Sequence, residues 1–283
     1  MGFFLIFIIF LGWVFSRALG SSFILYLAIF ISIVQAFISY FYSDKIALAI
    51  SKARKIEEKD NPKLYHIVEN LSITAGLPMP KVYIIEDLAP NAFATGRNPE
   101  HSAVAVTTGL LEKLERPELE GVISHELSHV GNYDIRLATV IVVLVGIVVL
   151  MSDLFFRISF WGGGDDDSDN NQLQFFFLAV GVVLALLSPL FATLIQLAVS
   201  RKREFLADAN GALLTRYPEG LARALEKISA DPKPLRVANK ATAHLFITNP
   251  LKEHKGSMRG WFSGLFDTHP PVEERVTRLR QMT

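Results

Sequence analysis

Five consecutive residues, His125-Glu126-Leu127-Ser128-His129, carry the most specific chemical signal in this chain. On a helix, positions i and i+4 lie on one face, so both imidazoles can reach a single metal ion. Neutral imidazole suits Zn²⁺, and Glu126 stands beside the pair, placed to take a proton from an attacking water. The bland alternative is a surface helix with two solvated histidines, and so short a pattern needs its surroundings to decide. A catalytic zinc ion ordinarily takes three protein ligands and leaves one position open, so a third ligand must come from elsewhere.

Composition narrows the surroundings. The 283 residues hold 28 basic and 28 acidic side chains, so no basic excess points to nucleic acid, and no nucleic-acid motif is present. There is no cysteine, which excludes a disulfide framework and a thiolate zinc site; a metal must be held by nitrogen and oxygen.

Apolar residues are concentrated in four runs: Gly2 to Ser16, Ala18 to Ser43, Leu137 to Ser152 continuing to Phe156, and Asn170 to Ser200. A spanning helix needs about 20 mostly apolar residues, which the second and fourth runs exceed and the third meets if Asp153 sits at an interface. The first run is short. It lacks the charged start and the cleavage site of a signal peptide and reads as a retained span. Lys45, Lys52, Arg54 and Lys55 follow the second run, and Arg201, Lys202 and Arg203 follow the fourth. The third and fourth are joined by Gly162-Gly163-Gly164-Asp165-Asp166-Asp167. Positive charge stays cytoplasmic, so 44–136 and 201–283 are expected inside, and the Gly/Asp loop, a solvated connector, outside.

This topology selects the third ligand. Two spans separate His129 from Glu204, so the chain returns to the side it left. If those spans pair as a hairpin, Glu204 meets the histidine helix at the membrane surface. Asp208 shares a helix face with Glu204 at i+4 and is a candidate to accept the second ring N–H of a ligand histidine. A solvated acidic face beside a basic patch is the competing reading of both carboxylates.

The stretch GVISHELSHVGNYD, from Gly121 to Asp134, resembles the active-site helix of the HtpX family of membrane zinc metalloproteases, relatives of the CAAX prenyl endopeptidases. Glu204-Phe205-Leu206-Ala207-Asp208 is similar to that family's E-x-x-x-D. Asn91-Ala92-Phe93-Ala94-Thr95-Gly96 and His269-Pro270-Pro271 with Arg275 are similar to further family motifs. The resemblance implies peptide-bond hydrolysis with one Zn²⁺ on His125, His129 and Glu204 and with Glu126 as general base. It implies His269 and Arg275 as stabilisers of the tetrahedral intermediate, although His269 could instead ligate zinc in a resting state. It also implies Asn91 and Ala92 as substrate-binding residues, where a strand edge can pair with an extended peptide. His244 and His254 read as structural.

Lys81 to Ile85 and Ser102 to Thr108 read as strands, and 61–77, 109–133 and 273–280 as helices. The expected fold is an α+β integral membrane protein with two transmembrane helical hairpins, 1–43 and 137–200. A mainly helical zincin-like cytoplasmic catalytic domain with a small β-sheet is divided between 44–136 and 201–283. The expected function is zinc-dependent proteolysis of membrane or misfolded proteins at the inner face of the plasma membrane, and the family resemblance implies a place in stress-responsive quality control. Its partners would be protein or peptide substrates, the lipid bilayer and other membrane quality-control proteases. The competing readings are a CAAX prenyl-protein endopeptidase and a non-catalytic membrane scaffold with a structural zinc.

Overall fold

A computed structural model of the chain describes residues 2–18, 21–141, 201–237, 242–248 and 270–282. It divides into two compact units, Met1–Ser43 and Asp44–Thr283. Most of the third and fourth apolar runs, the Gly/Asp loop, His254 and His269 lie outside the described residues.

The first unit holds helix α1 (Gly2–Ala18) and most of α2 (Ser22–Ile50), and Ser21 N donates to Ser16 O between them. Among the described residues, α2 contains the one segment long and apolar enough to cross a membrane, Leu25–Ile50. Phe23, Tyr26, Phe30, Ile33 and Phe37 are all exposed, and a helix exposing apolar residues on most of its surface needs an apolar solvent. At 17 residues α1 sits at the lower limit for a span. The sequence predicts that the second run ends at Ser43, but the helix continues past Asp44 and Lys45. It stops where Lys52 turns left-handed (φ 51°) and Ala53 N donates back to Leu48 O. Ala47 and Leu48 are thereby buried in the core of the second unit.

The second unit is built on a four-stranded sheet in the order β1 (Arg54–Lys55), β2 (Lys81–Ile85), β4 (Ser102–Thr107), β3 (Ala92–Gly96). Strands β2 and β4 run parallel; β1 and β3 are antiparallel edges. Side chains alternate between faces along a strand. Val82, Ile84, Ala92, Ala94, Val104 and Val106 therefore join the helical core, while Ile85, Phe93, Ala103 and Ala105 join a smaller core with Leu245 and Phe246. Both faces are covered, which is why β4 is a run of small and β-branched residues with no polar face.

Helix α3 (Pro62–Ala75) follows its sequence signals. Asn61 caps its start by accepting from Leu64 N, and Gly76 ends it in the left-handed region (φ 65°). The single helix predicted over 109–133 is two helices, α4 (Thr108–Lys113) and α5 (Arg116–Gly131). Pro117 is the reason. Its ring would clash one turn back inside a longer helix, so it occupies the first turn of a new one, where Glu115 and Glu118 form a capping box.

Helices α6 (Arg201–Thr215) and α7 (Pro218–Ser229) pack against α5, and α8 (Val272–Arg280) packs in turn against α7 and α6. Two glycines allow the close crossings. A Cβ at Gly121 would stand 2.7 Å from Leu221 N of α7, and one at Gly211 would stand 3.1 Å from His125 N. Gly211 thus brings the backbone of α6 against α5 beside the first histidine. The fold is α+β and mainly helical, as the sequence predicts for this part of the chain.

Candidate active site

Helix α5 carries His125, Glu126 and His129, and the first turns of α6 carry Glu204 and Asp208. The two Nε2 atoms are 3.1 Å apart. His125 Nε2 lies 3.8 Å from Glu204 Oε2, and His129 Nε2 lies 3.4 Å from Glu204 Oε1. One ligand atom from each of the three residues falls within 4.8 Å of the others. The donor set also fits a zinc ion chemically: two imidazoles and a carboxylate, with both Nδ1 atoms turned away onto carboxylates. His125 Nδ1 donates to Asp208 Oδ1 (2.9 Å) and His129 Nδ1 to Asp134 Oδ2 (3.1 Å).

The electrostatics have the same sense. Burial pushes His125 down to about 4, against the pull of Asp208, so this ring is neutral and ready to ligate. Burial also disfavours charge on His129, but its bond to Asp134 and the Glu204 and Glu126 carboxylates outweigh that and hold it up to about 9. Buried carboxylates around an imidazole call for a cation, and a proton on His129 stands where a divalent ion would serve better.

Glu126 is buried and lines the same cavity as the three candidate ligands. The wall also includes Ala94 of β3, Ile135 and Ala138 of the helical stretch 134–141, Arg203, and His244, Leu245 and Ile247 of a connecting segment.

Arg275, expected to face the reacting carbonyl, is fully buried behind His125 and is not part of the cavity wall. Its Nε and Nη2 donate to Asp208 (2.9 and 2.7 Å) and its Nη1 to Ile247 O (3.1 Å). With Arg275 beside it, Asp208 is held down to about 2 despite its burial, so it is a permanent anion.

Asn91 and Ala92 are buried at the start of β3. Asn91 Nδ2 donates to Thr248 O, and Ala92 O accepts from Ile247 N. Because Asn91 O accepts from Thr107 N of β4, it is the even-numbered residues of β3 that direct their peptide groups to the open edge. Ala92 O is taken by the chain itself, and Gly96 N donates to Thr139 Oγ1. Between them lies Ala94, whose edge faces the cavity.

Asp134, Arg203, Ala94 and His244 take part in the site without a role that the sequence alone predicts. Asp134 stands inside the quoted motif, five residues after His129, but its contact depends on a chain reversal at Tyr133. His244, read as structural, donates from Nε2 to Ala138 O and lines the cavity. It does so across 106 residues of sequence, with no local signal.

An H-E-x-x-H helix against a small mixed sheet, with a glutamate brought in by a second helix, defines a metallopeptidase of the zincin kind. The model of peptidase family M48 matches residues 58–283. The Protease HtpX homolog of Tropheryma whipplei (strain TW08/27) is 50% identical over 267 residues, covering 94% of this chain and 88% of that protein. The Protease HtpX homolog of Listeria monocytogenes serotype 4b (strain F2365) is 44% identical over 293 aligned positions, covering 100% of this chain and 94% of that protein. The chain belongs to peptidase family M48 and is a metalloprotease of HtpX type. In fold it is similar to the crystal structure of S. mikatae Ste24p, with a TM-score of 0.51 at 18% identity. That match covers 96% of this chain and 62% of the other, so the chain spans less than two thirds of that structure's length.

Proposed function

We propose that the protein is a membrane-anchored zinc endopeptidase that hydrolyses peptide bonds of membrane or misfolded proteins at the cytoplasmic face of the plasma membrane. The observation that carries this reading is the convergence of His125, His129 and Glu204 within 4.8 Å, with Glu126 in the same cavity. A zinc ion on these three residues would polarise the scissile carbonyl and acidify the attacking water.

The chain's own residues supply the rest. Glu126 accepts the water proton as the new C–O bond forms, and returns it to the leaving amine nitrogen as the peptide C–N bond then breaks. Asp208 and Asp134 hold the tautomer of the two histidines with Nε2 free to ligate. Ala94 offers its edge N–H and C=O to an extended substrate, a short pairing bounded by Ile247 and Thr139. Arg275 has the role of positioning Asp208 rather than meeting the oxyanion. His269 is retained as the candidate for that task from family resemblance.

The apolar length of α2 and the basic residues after it support membrane anchoring with the second unit inside. The packing of 44–141 and 201–237 in one unit supports a chain that leaves and re-enters on one side.

The test is Glu126→Gln in the full-length protein. Zinc content is expected to stay at one ion per chain, while casein cleavage falls by at least about 10²-fold, the scale of a lost general base. Undiminished cleavage with zinc in place would refute the mechanism.

A further inference from the structure

The two ligand histidines are backed in the same way. Behind His125 stands Asp208, and behind Asp208 stands Arg275. Behind His129 stands Asp134, whose other oxygen, Oδ1, faces Arg203 Nε at 3.6 Å. The first relay belongs to motifs that already suggest it; the second does not follow from them.

We infer that Arg203 is a positioning residue for His129: it holds Asp134, and Asp134 holds the imidazole with Nε2 on the metal. This rests on the zinc-site reading above.

Three observations converge on it. The first is the backbone reversal that delivers Asp134. Helix α5 ends at Gly131, and Tyr133 adopts a left-handed conformation (φ 60°). A residue with a Cβ rarely adopts that conformation and keeps it only where the surroundings fix it. The reversal places the Asp134 carboxylate 3.1 Å from His129 Nδ1, five residues back along the chain.

The second is the position of Arg203 on α6. It directly precedes Glu204, and neighbours on a helix point about 100° apart. Glu204 therefore faces the metal position while Arg203 faces the cavity rim, where it lies on the wall beside His129 and Asp134. The same turn of α6 supplies one ligand and steadies another. Residues 134 and 203 are far apart in sequence, so the contact also locks the two halves of the site together.

The third is exposure. Side chains of the His125 relay are 1–3% exposed, whereas His129, Asp134 and Arg203 are 15, 13 and 30% exposed. A part-exposed imidazole has less packing to fix its ring, so its orientation depends more on the hydrogen bond from Nδ1 and on whatever holds the acceptor. Among the described residues of the cavity wall, Arg203 is the only permanently charged cation, and the carboxylate it meets is the one that orients a ligand.

The test uses full-length protein in detergent, with Zn²⁺ affinity measured by chelator competition and the d–d spectrum recorded after Co²⁺ substitution. Asp134→Asn, Arg203→Met, Arg203→Lys and the Asp134→Asn/Arg203→Met double variant are compared. Loss of such an outer partner weakens metal binding by about 10–100-fold. R203M is expected near the lower end, with an altered Co²⁺ spectrum. R203K should recover most of the affinity, and the double variant should be no weaker than D134N. Should R203M fail to fold, Arg203→Gln is read by the same criteria. Unchanged Zn²⁺ affinity and Co²⁺ spectrum in R203M, with only KM raised, would assign Arg203 to gripping substrate and overturn the inference. So would losses that multiply in the double variant. His129→Ala separates the two levels: if it keeps wild-type affinity, the zinc site itself is misassigned, whatever Arg203 does.

Discussion

His125 and His129 are held by the same chemistry at different depths, and depth changes what that chemistry is for. Around His125, the Asp208 carboxylate and the Arg275 guanidinium are closed off from solvent, and Arg275 also ties down the carbonyl of Ile247. That relay is part of the core, and its charges tolerate burial only as a pair. Around His129 the carboxylate of Asp134 is at the rim, and the arginine behind it stands at ion-pair rather than hydrogen-bond distance. Water can replace a partner there. One arm is thus a structural element that happens to orient a ligand, and the other is an orienting device that the fold can lose.

The sharpest break between them is expected from removing one charge in each. Arg275→Met leaves Asp208 buried without its partner and is expected to cost about 3–5 kcal/mol of unfolding free energy, lowering stability with or without metal. Asp134→Asn, in the part-exposed arm, is expected to cost less in the metal-free protein, because water reaches the rim and can replace the lost partner. Denaturant unfolding of both metal-free variants reads the difference; equal losses would erase the distinction between the arms.

A smaller effect is expected from Gly211→Ala. Its new Cβ would lie 3.0 Å from Ser124 Oγ and 3.1 Å from His125 N, so α5 or α6 must shift by tenths of an ångström. A stability loss of about 1–3 kcal/mol is expected, with weaker metal binding traced to the His125 arm. Unchanged stability would mean that the crossing is looser than the distances say.

The most graded effect is in pH. In the metal-free protein His125, pushed down to about 4, is already neutral near pH 7, whereas His129, held up to about 9, keeps its proton. Metal must displace that proton, so apparent Zn²⁺ affinity is expected to rise about tenfold per pH unit from about pH 7 and to level off above about pH 9. For the metal-free fold the sign is opposite. The raised value of His129 contributes stability that is fully present below about pH 6.5 and lost as pH rises through about 9. Chelator competition across this range measures the first and melting temperature the second. A flat affinity profile would place the proton elsewhere.

Much of the site was legible because helical periodicity is local. The i, i+4 spacing of His125 and His129, and of Glu204 and Asp208, fixes which faces can converge before anything is known of tertiary packing. Pro62, Asn61 and Gly76 bound α3 by rules that act within one turn. Pro117 was equally visible, yet the run 109–133 read as one helix because its apolar periodicity continues across the break. Arg275 was legible as important but not in direction: an arginine beside an H-P-P sequence has reach in several directions, and only the buried Asp208 decides among them. Asp134 was hidden by Tyr133, since no sequence rule assigns a tyrosine to the left-handed region.

By itself, the sequence determined the metal-binding residue types, the helices that present them, the apolar length of α2 and the strands that became β2 and β4. Those features depend on neighbours within a few residues, where backbone geometry is stereotyped. Tertiary structure alone decided that Arg275 stands behind the site, that Ile247 closes the β3 edge at Ala92 while Ala94 faces the cavity, and that His244 and Arg203 join its wall. Each of those outcomes turns on the close approach of α6 to α5 at Gly211 or on contacts across long stretches of chain, where a few tenths of an ångström in a helix crossing select the partner.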